Sequence, residues 1–545
     1  MPVVTLDLTR LQKLVGKATK AKIIDALPFL GLDIEEQTDQ YIRVEYSPNR
    51  PDYATDVGIA AGLQGLLGIK KGIAKLEIKK QKDKIFTIKT NPAVKKIRPY
   101  VLGLIAKDGK LDDEIIRQLI ALQEDLHFGV GRKRKKASIG IHDLDTIQLP
   151  LLYTVKSKDH KFVPLATDKE MSVTQILETT DTGKEYSTIL GNCVNIPIIL
   201  DSKEDTISFP PIINSALTTV STTTKNLLVE VTGNDSSAVV DTLSVVASAL
   251  RGLGFILHDV KTDSKSSADS LKTRTILLDP KLVSQTLGIE LSPVQICNML
   301  KKCRLDAMVK GKKISCLIPS YRFDIFGPMD LVEEVALGYG IQNLSTTLPS
   351  SVSIGEKNKT TLKLDQLSQI LIGLGFTEAL NSSLTSKQIL YDNTKRDSTK
   401  LIEVAESKSQ EHTILRDSIL PGLLGNLSQN IHEQYPQKLF EIGAVFSNGS
   451  PIKESICLAC VDAHKDSSYT EIKSILQSLL KTDSNIECQT KTSENSMFSK
   501  GKTADIIVNS NKIGIIGELD SGVIENFKIR VPVSGFELVL SDFIL

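Results

Sequence analysis

The chain has 545 residues, 41% of them hydrophobic, and 66 Lys and Arg against 65 Asp and Glu, for a formal net charge of +1. That is material for three or four packed domains at about 150 residues each. It excludes a polycation, so any nucleic-acid contact must come from a local patch. Seven cysteines suit a reducing compartment. The amino terminus, Met1-Pro-Val-Val-Thr-Leu6, lacks the apolar core of a signal peptide. No apolar run approaches the ~20 residues of a membrane span, so a cytoplasmic chain without a membrane partner is expected.

Residues 1 to about 85 read as an α/β module. A helix around Ala21–Leu30 ends at Gly31, and a strand around Tyr41–Tyr46 follows. Ser47-Pro-Asn-Arg-Pro-Asp52 is a rigid turn with two prolines, in which Arg50 and Asp52 can pair. A helix from about Asp56 to Leu67 stops at Gly68. Residues 86–260 alternate strands and helices. They hold the densest positive run, Arg132, Lys133, Arg134, Lys135 and Lys136, between Phe128 and a strand Ala137–Ile141. The run is either an exposed turn or a contact for nucleic-acid phosphates, which would be salt-sensitive. His142 falls on the opposite strand face from Ile139 and Ile141. Asn214, after the apolar Pro210-Pro-Ile-Ile213, either caps a helix or offers an amide that donates and accepts in a pocket. The serine-rich stretch His258–Thr273 reads as a linker.

Residues 272–347 read as a small α/β module. Ser292-Pro293 starts a helix there. Tyr321 to Ile325 alternates like a strand, Gly327-Pro328 breaks it, and Pro328 suits a first helical position. Asp324, Asp330, Glu333 and Glu334 surround this junction, the last three on one helix face. They form either a solvated acidic helix start, favoured by the helix dipole, or a site for a hard cation such as Mg²⁺, which uses one or two carboxylates plus waters. A second linker spans 348–358. The remainder, 358–545, is a large mixed domain whose first helix carries Leu364, Leu367, Leu371 and Leu374 on one stripe. Cys457 and Cys460, three apart on a strand, face opposite sides and are not expected to chelate one metal. Phosphate-binding G-x-x-x-x-G-K-[ST], G-x-G-x-x-G, H-E-x-x-H and G-x-S-x-G motifs are absent.

The carboxylate pattern closely resembles the metal-bearing module of the β subunit of phenylalanyl-tRNA synthetase: an Asp, an Asp six later, then Glu-Glu at nine and ten later. Five further pieces resemble the archaeal/eukaryotic type of that β chain. They are Ser47–Asp52, Leu126–Asp145, Ile207–Ser215 continuing to Val229–Asp235, Leu415–Leu424 and Leu439–Phe446. The resemblance covers essentially all of the chain.

It implies an α/β and α+β multidomain fold: an N-terminal α/β module (1–85), an editing domain that hydrolyses mischarged tRNA (86–260), a small α/β metal-bearing module at the α-subunit contact (272–347), and a C-terminal class II synthetase-like, pseudo-catalytic antiparallel-sheet domain (358–545). In the last of these Arg416 is structural rather than an ATP ligand. It further implies a phenylalanine–tRNA ligase of two α and two β chains, with ATP and phenylalanine bound on α and no aminoacylation residues here. Asp324, Asp330, Glu333 and Glu334 would hold Mg²⁺ shared with α, Ser208 and Asn214 would line the editing pocket, and Arg132–Lys136 would meet tRNA(Phe).

A second site has a physical reason. Tyrosine adds one hydroxyl to phenylalanine, which an apolar pocket rejects only about 10²-fold, whereas a site that hydrogen-bonds the hydroxyl discriminates by about 10⁴–10⁵. The alternatives are a free-standing tRNA-editing hydrolase, and a nucleic-acid-binding factor built on 274–345, against which the mixed charge of that module counts.

Overall fold

The computed structural model describes residues 2–80, 86–191, 193–263, 265–348, 354–407 and 409–541. The chain divides into two compact units, 1–348 and 349–545. Both are mixed α/β with several sheets.

The first unit opens with a three-stranded antiparallel sheet, Tyr41–Glu45 between Val3–Asp7 and Asp33–Gln37. The expected helix over Ala21–Leu30 is shorter. It runs Lys20–Ala26, and Pro28, which cannot donate to the helical ladder, starts a separate 3-10 turn that ends at the left-handed Gly31. The helix Asp56–Leu66 is capped by the Thr55 hydroxyl. Arg50 grips Asp52 with two hydrogen bonds of 2.8 and 2.9 Å and lies 3.9 Å over the Tyr53 ring, as the turn reading requires.

Next comes a helix–sheet–sheet sandwich. Its five-stranded sheet runs, edge to edge, Ile78–Lys79, Ile256–Asp259, Tyr100–Lys107, Leu227–Gly233, Ala137–Asp143. Strand side chains alternate between faces. Leu104, Ala106, Val229, Val231 and Ile139 pack beneath the helices Asp113–Phe128 and Ser236–Gly252. Val101, Ile105 and Leu228 face a second, seven-stranded sheet through Ile88, Tyr153, Ile199 and Ile207. Gly103 permits that close approach, since a Cβ there would stand 2.9 Å from the Ile88 side chain. The stretch expected as a linker is built into the sandwich: Ile256–Asp259 belongs to the first sheet, and Lys261–Thr262 pairs with Thr87–Thr90 in the second. Two serines there serve the backbone. Ser266 caps a short helix, and the buried Ser267 hydroxyl accepts from Gly103 N–H.

The module that follows has an antiparallel sheet ordered Arg274–Leu278, Lys313–Ile318, Asp306–Lys310, and the helices Pro280–Leu287, Pro293–Lys302 and Pro328–Tyr339. Ser292 and Gln295 form a reciprocal capping box. Tyr321–Ile325 is a turn and not the expected strand, because Arg322 is drawn inward onto acidic partners instead of alternating outward.

The second unit is centred on a seven-stranded sheet ordered Thr377–Glu378, Gln437–Ser447, Lys453–Ala463, Val533–Val539, Asn511–Leu519, Phe498–Val508, Gln489–Thr492, antiparallel apart from its first pair. One face packs against the helices Lys359–Gly373 and Tyr469–Ser484, with Leu367 and Leu371 buried and Leu364 and Leu374 flanking them. The other packs against Leu420–Gln429. Cys457 and Cys460 fall in these two different cores. Part of the expected second linker, 349–353, lies outside the described residues. Among the described residues no helix is long and apolar enough to cross a membrane. Phe440 is fully buried beneath the helices. Phe440→Ala is therefore expected to cost about 3–5 kcal/mol, read as a lowered denaturant midpoint at unchanged m-value.

Candidate functional site

A cavity of about 820 Å³ opens into the sandwich, within the range of small-molecule sites. Ile116, Leu119 and Ile120 of the helix Asp113–Phe128 form an apolar wall. The segment Ser208–Ser215 forms another, and Glu230 of the strand Leu227–Gly233 reaches it from below.

Both expected pocket residues line this cavity, Ser208 directly opposite Asn214 in a two-strand ladder. Asn214 caps no helix. Ser215 performs that task for the 3-10 turn that follows. The Ser208 hydroxyl donates to Glu230 Oε1 at 3.0 Å and stands 3.3 Å from the Asn214 amide oxygen. One hydroxyl carries one proton, so donation to the nearer carboxyl leaves the Ser208 oxygen able to accept from the amide NH₂ once that amide is turned.

Glu230 is the functional residue that sequence reasoning passed over. It is buried, its Oε2 has no hydrogen-bond partner among the described residues, and burial raises its pKa to about 7 against the opposing pulls of Ser208 and Arg98. The signal was present: one carboxylate inside Leu227-Leu-Val-Glu-Val-Thr, where alternation aims it at the second sheet. His142 is wholly buried and lies outside the cavity lining. Its Nδ1 is 2.8 Å from the Thr218 hydroxyl, and burial lowers its pKa to about 3, so it is neutral. A side chain at Gly140 would collide with both His142 and Glu230.

The basic run is a turn in which Arg132, Lys133 and Arg134 all adopt left-handed backbone conformations, with φ of 50, 52 and 64°. Four of its side chains, those of Arg132, Lys133, Lys135 and Lys136, are exposed. Lys136 pairs with Asp235 at 2.9 Å. Arg134 departs from the expectation. It turns inward to line the cavity, donates to the carbonyls of Pro211 and Ile212 at 3.3 and 3.0 Å, and binds Glu124 at 3.0 Å. A guanidinium satisfied in this way is not available to a phosphate. Arg98, 1% exposed, secures the turn from beneath, donating to Arg134 O and Thr232 O.

The four acids around Pro328 do not converge on one point. Asp324 takes two bonds from Arg322, at 2.9 and 2.7 Å, and Glu334 pairs with the same guanidinium. Asp330 caps the helix by accepting from Phe326 and Gly327 N–H at 2.6 and 2.8 Å, and Glu333 is exposed. As a donor set, Asp330 with Glu333 fits a largely hydrated Mg²⁺, which uses one or two carboxylates. The full quartet does not, because Arg322 already answers half of it. Arg322 in turn lies near Arg50 of the first module, and Asp52 adds a third carboxylate to this buried cluster. Among the described residues one other group, Asp462, His464 and Glu471, has metal-like proximity. The Lys438 ammonium, 3.0 Å from Asp462 and 3.2 Å from Glu471, already pairs with both of its carboxylates. Arg416 is buried on Glu441, 2.5 Å away, and donates to Ala444 O.

Residues 276–341 match the tRNA synthetase B5 domain, and 344–540 match the phenylalanyl tRNA synthetase beta chain CLM domain. The fold and these modules define a chain of the tRNA synthetase class. Over its length it is 37% identical to the phenylalanine--tRNA ligase beta subunit of Archaeoglobus fulgidus, covering 100% of this chain and 99% of that one. It is equally 37% identical to that of Methanocaldococcus jannaschii, covering 99% and 100%. The crystal structure of an N-terminal fragment of the phenylalanyl-tRNA synthetase beta-subunit from Pyrococcus horikoshii superposes with a TM-score of 0.58 at 29% identity, covering 62% of this chain and 99% of the fragment. The chain belongs to the family of phenylalanine–tRNA ligase β subunits.

Two measurements test these buried charges. Arg322→Met leaves Asp324 and Glu334 without their cation and is expected to cost about 3–5 kcal/mol in denaturant unfolding. For Glu230, the folded carboxyl holds its proton to about pH 7 while an unfolded one loses it near 4.5. The stability linked to the neutral form is thus complete below pH 4.5 and is lost as pH rises to 7, by roughly 3 kcal/mol. Glu230→Gln should remove that slope between pH 5 and 7 in pH-resolved unfolding curves.

Proposed function

We propose that this chain acts as the β subunit of phenylalanine–tRNA ligase and that its cavity hydrolyses tyrosine from mischarged tRNA(Phe). The observation that carries the editing half is the buried Glu230 carboxyl in an apolar cavity, whose Oε1 accepts from Ser208 and whose Oε2 has no partner among the described residues. A phenol hydroxyl gives that oxygen its partner. A phenylalanine ring leaves it unmet, at a cost of about 1–3 kcal/mol for each unmet buried group. Asn214 supports the same polar end. Among the described residues the cavity lining contains no histidine or cysteine, which favours attack by a positioned water. The water oxygen bonds to the ester carbonyl carbon, the bond to the ribose oxygen breaks, and that oxygen takes the proton.

Charging itself belongs to the assembly with an α chain, two of each, on which ATP and phenylalanine bind. The 349–545 unit serves as a pseudo-catalytic class II scaffold. Its Arg416 is spent on Glu441 and Ala444 rather than offered to a nucleotide. The proposed divisions are 1–85, 86–260, 272–347 and 358–545, with Ile78–Lys79 and Lys261–Thr262 adding strands from outside 86–260 to the two sheets of that domain. Arg132, Lys133, Lys135 and Lys136 present cations to tRNA from a cytoplasmic enzyme. Mg²⁺, if held at the α contact, would be held by Asp330 and Glu333, where it would supply charge neutralisation. Asp324 and Glu334 keep Arg322 in place. Similarity along the whole chain to ligase β subunits supports this reading over a free-standing hydrolase.

In the complex with α, Glu230→Ala and Asn214→Ala should each slow tyrosyl-tRNA hydrolysis about 10–100-fold while phenylalanine charging continues at its normal rate. Wild-type hydrolysis by both variants would remove the pocket assignment.

A further inference from the structure

Phe128, the last residue of its helix, is 69% exposed. A single exposed apolar side chain needs no explanation, but this one has particular neighbours. Lys133 Nζ stands 6.0 Å over its ring, and Arg132 and Lys135 are exposed on the same turn. Lys133 and Arg134 are consecutive, one outside against Phe128 and the other inside lining the cavity. The helix makes the same connection. Ile120 and Glu124 line the cavity, and Phe128 continues their i, i+4, i+8 row one turn, about 6 Å, further out. The negative charge of Glu124 on this path is met by Arg134 and approached by His127 Nδ1 at 3.2 Å. An exposed ring flanked by cations, one helical turn beyond residues that line a cavity, combines the two elements that hold single-stranded nucleic acid: a stacking platform and phosphate-directed positive charge.

From this juxtaposition we infer that Phe128, with Lys133, Arg132 and Lys135, is a landing site for the unpaired 3′ end of tRNA. One of its bases stacks on the Phe128 ring, and this directs the aminoacyl ester into the cavity. The inference rests on the proposed editing reaction. The occupant is RNA rather than a protein because the surface around the ring offers cations to phosphates and the cavity beneath it receives what the RNA end carries. The left-handed turn is the device that sends alternate side chains to the two tasks, Lys133 outward and Arg134 inward.

The test uses the full chain assembled with its α partner. Transfer RNA carries 2-aminopurine at each of its three unpaired 3′ positions in turn. At least one probe should lose fluorescence on wild type and on Phe128→Trp, and lose much less on Phe128→Ala. Phe128→Ala should raise the KM of tyrosyl-tRNA hydrolysis about 5- to 100-fold with little change in kcat, and Phe128→Trp should restore it. Neutralising Arg132, Lys133 and Lys135 together should flatten the log–log salt dependence of binding by about 2. Equal quenching by wild type and Phe128→Ala would overturn the inference. So would loss of the α chain from Phe128→Ala on gel filtration, which would make the ring a protein contact. If the wild-type complex fails to hydrolyse tyrosyl-tRNA, the editing reading falls, and the fluorescence arm alone decides whether the platform exists.

Discussion

A strand buried on both faces has no room for a polar group without partners, and the strand Leu227–Gly233 carries a carboxyl, Glu230, with one oxygen unmet among the described residues. Its seven residues are all buried. Its apolar side chains follow the usual solution, Val229 and Val231 toward the helices on one side and Leu228 toward the second sheet on the other. At Glu230 that solution fails, and the fold answers it with a serine, a glycine that clears the space at Gly140, and a cavity instead of a filled core. In the proposed editing reaction the unmet carboxyl oxygen is the source of selectivity, since a ligand hydroxyl would recover what the protein leaves unsatisfied.

Buried guanidinium groups do much of the remaining positioning. Arg98 holds the basic turn to the sheet, Arg134 ties that turn to the cavity wall, Arg322 anchors the acidic junction, and Arg416 occupies the interior of the second unit. Each satisfies several of its donors with carbonyls or carboxylates, the condition under which a buried cation is tolerated. The consequence for Asp324 and Glu334 is direct. They read as candidate cation ligands, yet the cation they hold is an arginine. Through Arg50 and Asp52 the same cluster brings the two-proline turn of the first module against the junction of the later one, so two widely separated motifs form one buried network.

Much of the local structure was legible in the sequence. The cap at Ser292, the leucine stripe from Leu364 to Leu374, the Arg50–Asp52 pair and the opposed Cys457 and Cys460 follow from rules that act within a few residues: helical and strand periods, capping, and salt-bridge spacing. The candidate site was legible in part, through Ser208 and Asn214. Among the readings that failed, three did so for a non-local reason. Tyr321–Ile325 alternates in polarity, but Arg322 answers to Glu334 on the next helix. His258–Thr273 looks like a linker, but edge strands of both sheets needed pairing. Arg134 sits in a basic run, but its backbone conformation aims it at carbonyls of Pro211 and Ile212, distant in sequence.

The sequence by itself determined many of the helix caps and stops, how the polar and apolar faces would be patterned, and which family the chain resembles, because periodicity, capping and motif spacing are properties of neighbouring residues. Only the tertiary structure decided which charged side chains face each other. That depends on sheet register and helix packing over tens to hundreds of residues, and it turned a strand glutamate into the polar end of a cavity, two presumed metal ligands into partners of an arginine, and one of five basic residues into part of the cavity wall.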